Sequence, residues 1–139
     1  MFTQALKKYI ESCPLITKGK INVNYLGEKP VKYSIENVPA KPIVKKYTDG
    51  GTLRQYLFVF ASREAYDENA LENMNTAKFF EEFEAWIEEQ NSKKIYPTVE
   101  DPKVRVTRIE TTTSSYLYDS DTTTARFQIQ CKITYKKEV

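Results

Sequence analysis

The alternation of apolar and polar side chains divides the chain into helices and strands before any chemistry is considered. Phe2, Ala5, Leu6, Tyr9 and Ile10 recur at helical spacing, with Lys7, Lys8 and Glu11 on the opposite face, so the pattern predicts a first helix. Pro14 ends it, because the residue ahead of a proline is pushed out of the α region. Ile21, Val23 and Tyr25 then alternate with Asn22 and Asn24, and Val31, Tyr33 and Ile35 alternate with Lys32 and Ser34. With "LGEKP" between them, these runs predict a hairpin of strands 20–26 and 31–37. "NVPAKP" breaks the pattern, since its prolines cannot sit in a central strand.

A second hairpin is predicted around "TDGG", whose glycines supply the positive-φ positions of a tight turn. "IVKKY" precedes it and "TLRQYLFVFA" follows. In the following strand Leu57, Val59 and Ala61 point one way and Tyr56, Phe58 and Phe60 the other. A strand apolar on both faces is expected to be covered on both and to form the centre of the sheet. Phe79, Phe80, Phe83, Trp86 and Ile87 make the apolar stripe of a second helix, with glutamates opposite. Asn75 or Thr76 is its expected N-cap, which leaves "DENALENM" as a loop or a short preceding turn of helix. "NSKK" places lysines at the negative end of its dipole.

The last unit is a long hairpin, residues 103–119 and 124–136, turned by "DSDTTT". The apolar positions shift from even to odd at Arg108–Ile109, the signature of a β-bulge. On the returning strand Ala125, Phe127, Ile129, Cys131, Ile133 and Tyr135 share one face, and Arg126, Gln128, Gln130, Lys132 and Thr134 share the other. The order α-β-β-β-β-α-β-β predicts an α+β fold, an antiparallel sheet of about six strands with two helices on one face and a long C-terminal hairpin. No repeat or low-complexity linker interrupts it, so one domain is expected over residues 1–139. A strand of thirteen residues spans roughly 40 Å, against about 30 Å for a domain of this size. Part of the hairpin is therefore expected to overhang the core, where a second copy would cover it.

Composition narrows the classes. The 139 residues suffice for a core without disulfide or metal staples. "MFTQALKKYIESCP" has no apolar signal core or cleavage site, and the expectation is mature structure made in a cytoplasm. Cys13 and Cys131 are far apart in sequence and are expected to stay free, Cys131 as a small hydrophobe. The net charge of +2 conceals an asymmetry: residues 64–90 hold nine acids against one base, Lys78, so that segment is −8 and the remainder +10. A solvated helix face explains this, and so does a complementary charge contact between copies or with a partner.

The chemistry that is missing is as informative. With no histidine, neither a Ser/His/Asp triad nor a Cys/His dyad can be assembled, and the commonest metal ligand is lost. "DGGT" lacks the frame of a phosphate-binding loop. Glu81, Glu82, Glu84, Glu88 and Glu89 read as the wet face of a helix rather than an acid–base pair. Asp119 and Asp121 alternate as at the start of a calcium loop, but the glycine and closing glutamate of such a loop are missing. Lys103, Arg105 and Arg108, with Arg126 and Lys132 on the next strand, form a candidate basic stripe beside Tyr116, Tyr118 and Phe127. Phe127 shares a face with Ile129 and Ile133 and so reads as core, which argues against a base-stacking platform. No catalytic residue, cofactor or metal ligand is expected.

Three segments carry a resemblance: "YSIENVPAKPIVKKYTDGGTLRQYLFVFASRE", "FFEEFEAWIEEQN" and "YLYDSDTTTARFQIQCKITY". In this order, over nearly half of the chain, they resemble the small tail-completion proteins, often labelled minor capsid proteins, of long-tailed bacteriophages of Gram-positive bacteria. That family is similar in turn to phage tail terminators. The resemblance implies a structural virion protein, not an enzyme, whose α+β subunits form a ring, usually a hexamer. The ring caps the tail tube, ends its polymerisation and joins the tail to the head connector. The implied partners are further copies of the chain, the tail tube protein and sheath, and the connector, with DNA only as cargo through the lumen and no membrane. The implied location is the head-proximal end of the virion tail, after assembly in the host cytoplasm. On this reading Tyr116, Tyr118, Asp119 and Asp121 at the hairpin tip reach a neighbour or the tube. Arg126, Gln128 and Gln130 line a wet surface such as the lumen, and Glu81, Glu84 and Glu88 supply a charged contact. The competing readings are another structural part of a phage or phage-like particle, such as a tube, head-completion or collar protein, and a monomeric peptide- or nucleic-acid-binding module.

Overall fold

Two long ribbons lie side by side. The computed structural model describes residues 2–16, 21–23, 32–65, 70–120 and 124–139. Its elements are α1 (Phe2–Glu11), β1 (Ile21–Val23), β2 (Lys32–Val38), β3 (Ile43–Lys46), β4 (Thr52–Ala65), α2 (Ala70–Lys93), β5 (Val104–Thr111), β6 (Tyr116–Ser120) and β7 (Thr124–Lys137). β4 and β7 are each 14 residues long and pair antiparallel throughout, from Thr52 against Lys137 to Ala65 against Thr124. β2 and β3 share the other edge of β4, and β5 and β6 share the other edge of β7. Each ribbon thus has one continuous arm and one broken arm. The fold is α+β, with β4 central as expected.

The "TDGG" hairpin between β3 and β4 turns on Gly50 alone of its two glycines. Gly50 has φ of 90°, a conformation open to glycine but not to most side chains. Tyr47 N donates to Gly51 O at 2.8 Å, Gly50 N to Tyr47 O at 3.1 Å, and Gly51 N to Asp49 Oδ1 at 2.8 Å. In the second ribbon the bulge falls between Val106 and Arg108, one residue from its expected place. The expected 103–119 strand is broken at residues 112–115, so the sheet has seven strands where about six were expected. Thr113 Oγ1 accepts from Gln130 N at 3.1 Å, and this hydroxyl stands in for a ladder carbonyl.

The expected hairpin of 20–26 and 31–37 is not formed. β1 runs parallel to β2, with Ile21 beside Tyr33 and Val23 beside Ile35. A two-residue period fixes which side chains face inward, not the direction of the strand. Ile21, Tyr33 and Ile35 are all buried, and that burial is what the alternation reported. The remaining strands pair antiparallel; the "LGEKP" turn lies outside the described residues.

Nor does the C-terminal hairpin overhang its sheet: β4 matches β7 residue for residue, so both edges of β7 are hydrogen-bonded and Ala125 near its start is fully buried. α2 begins at Ala70, ahead of the expected cap, because Ala, Leu and Glu in "ALENM" are good helix formers. Its far end closes with Lys94 at φ 57° and Ile95 N donating to Gln90 O at 2.9 Å.

Both helices pack on one sheet face. Phe2, Leu6, Tyr9 and Ile10 of α1 and Phe80, Phe83 and Ile87 of α2 join Phe58, Phe60, Ile129, Cys131 and Ile133 in a single buried cluster. The Phe60 and Phe83 rings stack at 4.6 Å. Cys13 and Cys131 are free and buried, and burial pushes both thiols above their ordinary pKa. The opposite face carries Leu57, Val59 and Ala61, and neither helix lies on it. The strand is covered on both faces as expected, though less completely on this one: Val59 and Ala61 are buried, Leu57 only partly. On this face the cover among the described residues comes from polar side chains of the sheet itself.

Candidate functional site

The hairpin register brings five of the expected interface residues together. β6 places Tyr116 opposite Gln128 on the helix-free face. Gln128 Nε2 and Gln130 Nε2 both donate to the Tyr116 hydroxyl, at 2.6 and 3.0 Å. Arg126 Nε donates to Gln128 Oε1 at 3.0 Å, and its guanidinium lies 4.8 Å from the centre of the Tyr118 ring. From two strands away, Glu36 Oε2 meets Arg126 Nη2 at 2.8 Å. Glu36 is reached only through the lateral register of β2, β4 and β7, and nothing local in sequence marks it.

This network is less wet than expected. Gln128 is 5% exposed, and only 15% of the Arg126 side chain is accessible. Tyr116 and Glu36 close over them, so these residues brace the sheet as well as face outward. The exposed part is the end of β6, where Leu117 and Tyr118 are 48% and 60% exposed. Asp119 is described for its backbone, opposite Arg126, and Asp121 lies outside the described residues.

Three bases of the expected stripe are paired, while Lys103 and Arg105 are exposed with no ion pair among the described residues. Arg108 Nε meets Glu110 Oε2 at 2.6 Å and Lys132 Nζ meets Glu110 Oε1 at 3.2 Å, while Arg126 belongs to Glu36. Partial burial works to raise the Glu110 pKa, but the hydrogen bonds from Arg108 and Lys132 overcome it and hold the carboxyl below its ordinary range. Phe127 packs against the core cluster, as its face predicted.

Glu81, Glu84 and Glu88 sit elsewhere, on α2 beyond the other sheet face. At i, i+3 and i+7 they share one flank of the helix. Burial, then the neighbouring charges of Glu88 and Glu81, pushes the Glu84 carboxyl above its ordinary pKa. The same flank carries Asn91, which the sequence did not single out. Its Oδ1 accepts from Ile109 N at 2.9 Å, and its Nδ2 donates to Ile109 O. One amide thereby occupies the outer edge of β5 as a neighbouring strand would.

Among the described residues no group of three or more Cys, Asp or Glu could hold a metal ion, and no helix is long and apolar enough to cross a membrane. A hollow of about 560 Å³ between α1 and residues 96–100 is lined by Lys8, Tyr9, Ser12, Tyr96, Thr98 and Glu100. Burial, with Tyr96 and Cys13 adding to it, raises the Tyr9 phenol well above its ordinary pKa, so it stays protonated and donates to Ile95 O at 2.8 Å. The arrangement offers surfaces for contact. A scan against protein-family models finds no match for this chain, and no curated protein matches it.

Proposed function

We propose that the chain is a structural virion protein, a ring-forming subunit that caps a phage tail tube, ends its polymerisation and joins the tail to the head connector. The observation that carries this reading is the C-terminal ribbon. It is braced along its full length by β4, and short of its turn β6 carries the exposed side chains of Leu117 and Tyr118. Exposed apolar side chains on a rigid arm suit contact with another subunit, because little conformational entropy remains to be lost on docking. Further support comes from the α+β fold, which is the one the resemblance implies, and from side-chain chemistry suited to contact rather than turnover. In this reading further copies of the chain are the first partner, in a hexamer, and the tube and sheath below and the connector above are the others. DNA passes as cargo, and the protein works without a cofactor at the head-proximal end of the tail.

The test is direct. The purified chain is imaged by negative-stain electron microscopy, alone and after addition to growing tail tubes. Rings on the ends of tubes of uniform length are expected. A monomer at high concentration that leaves tube length unregulated would overturn the proposal.

A further inference from the structure

One lateral margin of the sheet and the α2 flank beyond the other carry opposite charges that have no ion pair among the described residues. On one side, β3 hydrogen-bonds only to β4 among the described strands, so its outer edge is unpaired. Lys41, Lys45 and Lys46 are exposed there, and none has an ion pair among the described residues; Lys45 lies 5.6 Å from the Tyr47 ring. Val44 between them is 55% exposed. On the other side, beyond β7 and β5, the flank of α2 holds Glu81, Glu84 and Glu88, also without an ion pair among the described residues. The helix lysines are engaged elsewhere, Lys93 with Glu89 at 2.8 Å and Lys78 with Glu82 at 4.0 Å. Asn91 on that flank ties the stripe to β5, so the acids stand over the far edge of the sheet.

Lysines on an edge strand ordinarily guard it against pairing with a like edge. The same guard admits an edge flanked by carboxylates. We infer that copies of the chain associate head-to-tail through these margins, with Lys41, Lys45 and Lys46 of one copy meeting Glu81, Glu84 and Glu88 of the next. This rests on the ring-forming reading and names its interface. Unlike patches on opposite sides of a subunit make a heterologous contact, the kind that closes into rings. The Glu81–Glu88 stripe runs about 11 Å along α2 and the four residues of β3 span about 13 Å, so the two patches match in length. A nucleic acid is the poorer occupant. The bases Arg108, Lys132 and Arg126 on the sheet face are already held by Glu110 and Glu36, and an exposed valine on an open strand edge offers a protein more than it offers a phosphate backbone.

Sedimentation velocity and electron microscopy of the full chain test this with K45E/K46E, E81K/E88K and the combined fourfold reversal. Each single-margin reversal is expected to raise the concentration needed for assembly at least about tenfold, and the combined chain to return within about threefold of the original. Circular dichroism checks folding, and K45Q/K46Q and E81Q/E88Q carry the same test if a reversal unfolds. Rings that persist unchanged in all variants would overturn the inference and leave the ring reading intact. A wild-type chain that never self-associates would overturn both. Loss of duplex DNA binding in K45E/K46E with assembly unaltered would make the lysine margin a nucleic-acid contact and reject the inference.

Discussion

The two faces of β4 are closed by different means. One side of the strand presents Phe58 and Phe60, sealed under two helices at 0% exposure. The other presents Val59 and Ala61, hidden nearly as well, yet with no helix on them. There Arg126, Gln128, Gln130, Tyr116 and Glu36 form a hydrogen-bonded roof one side chain thick. An apolar lid is bought with area and tolerates approximate packing. A polar roof holds only while each donor has its acceptor, since an unmade buried hydrogen bond costs more than a made one gains.

Breaking the helix-covered face should have the largest effect. Phe83 is fully buried, stacks on Phe60 and contacts the Trp86 ring at 6.2 Å. Phe83→Ala is expected to cost about 3–5 kcal/mol in a urea melt. A loss below ~1 kcal/mol would mean that the cluster collapses around the gap or that α2 does not depend on it.

Breaking the roof should cost less and show coupling. Arg126→Met keeps the aliphatic stem but leaves Glu36 and Gln128 short of a donor. About 1.5–3 kcal/mol is expected, the range for hydrogen bonds to charged groups. The double variant with Glu36→Gln should be less destabilised than the sum of its singles, because both changes remove one contact. Additive losses would mean that Arg126 and Glu36 do not act as a pair.

The contrast also explains what could be read from the chain. Phe80, Phe83 and Ile87 announce a buried helix face by spacing alone, and the 124–136 strand announces its inward side in the same way. Tyr116, Arg126, Gln128 and Gln130 could be grouped because one hairpin turn sets their register. Glu36 could not, since it joins them across two strands whose lateral order no local pattern encodes. Asn91 was hidden for a related reason: its partner, Ile109, lies on another element, and a polar residue near a helix end looks like any solvated one. The direction of β1 escaped because alternation is the same in either sense. The break at 112–115 escaped because "TTTSS" has residues that suit a strand as well as they suit a turn.

The smallest predicted effects sharpen the comparison through two glutamates, one beyond each face. Glu110, on the roofed side, has a pKa below the ordinary 4.5, and Glu84, on the helix side, has one above it. The signs follow from linkage. A lowered carboxyl adds stability above its unfolded pKa, and that stability is lost as pH falls through its folded pKa. A raised carboxyl favours the fold while protonated, and that contribution is lost as pH rises through its folded pKa. At neutral pH, Glu110→Gln should therefore destabilise and Glu84→Gln should stabilise, each by no more than about 1 kcal/mol given their partial exposure. Thermal melts from pH 7 down to about 3 should show both differences shrinking as the wild-type carboxyls protonate. The measurement is made at low protein concentration, because carboxylates relieved by lysines in an assembly would no longer repel one another. Glu84→Gln should then stabilise the isolated chain while weakening its self-association. A variant that weakened both would mean that Glu84 is held by its own subunit, and the acidic flank would lose its claim to be waiting for another.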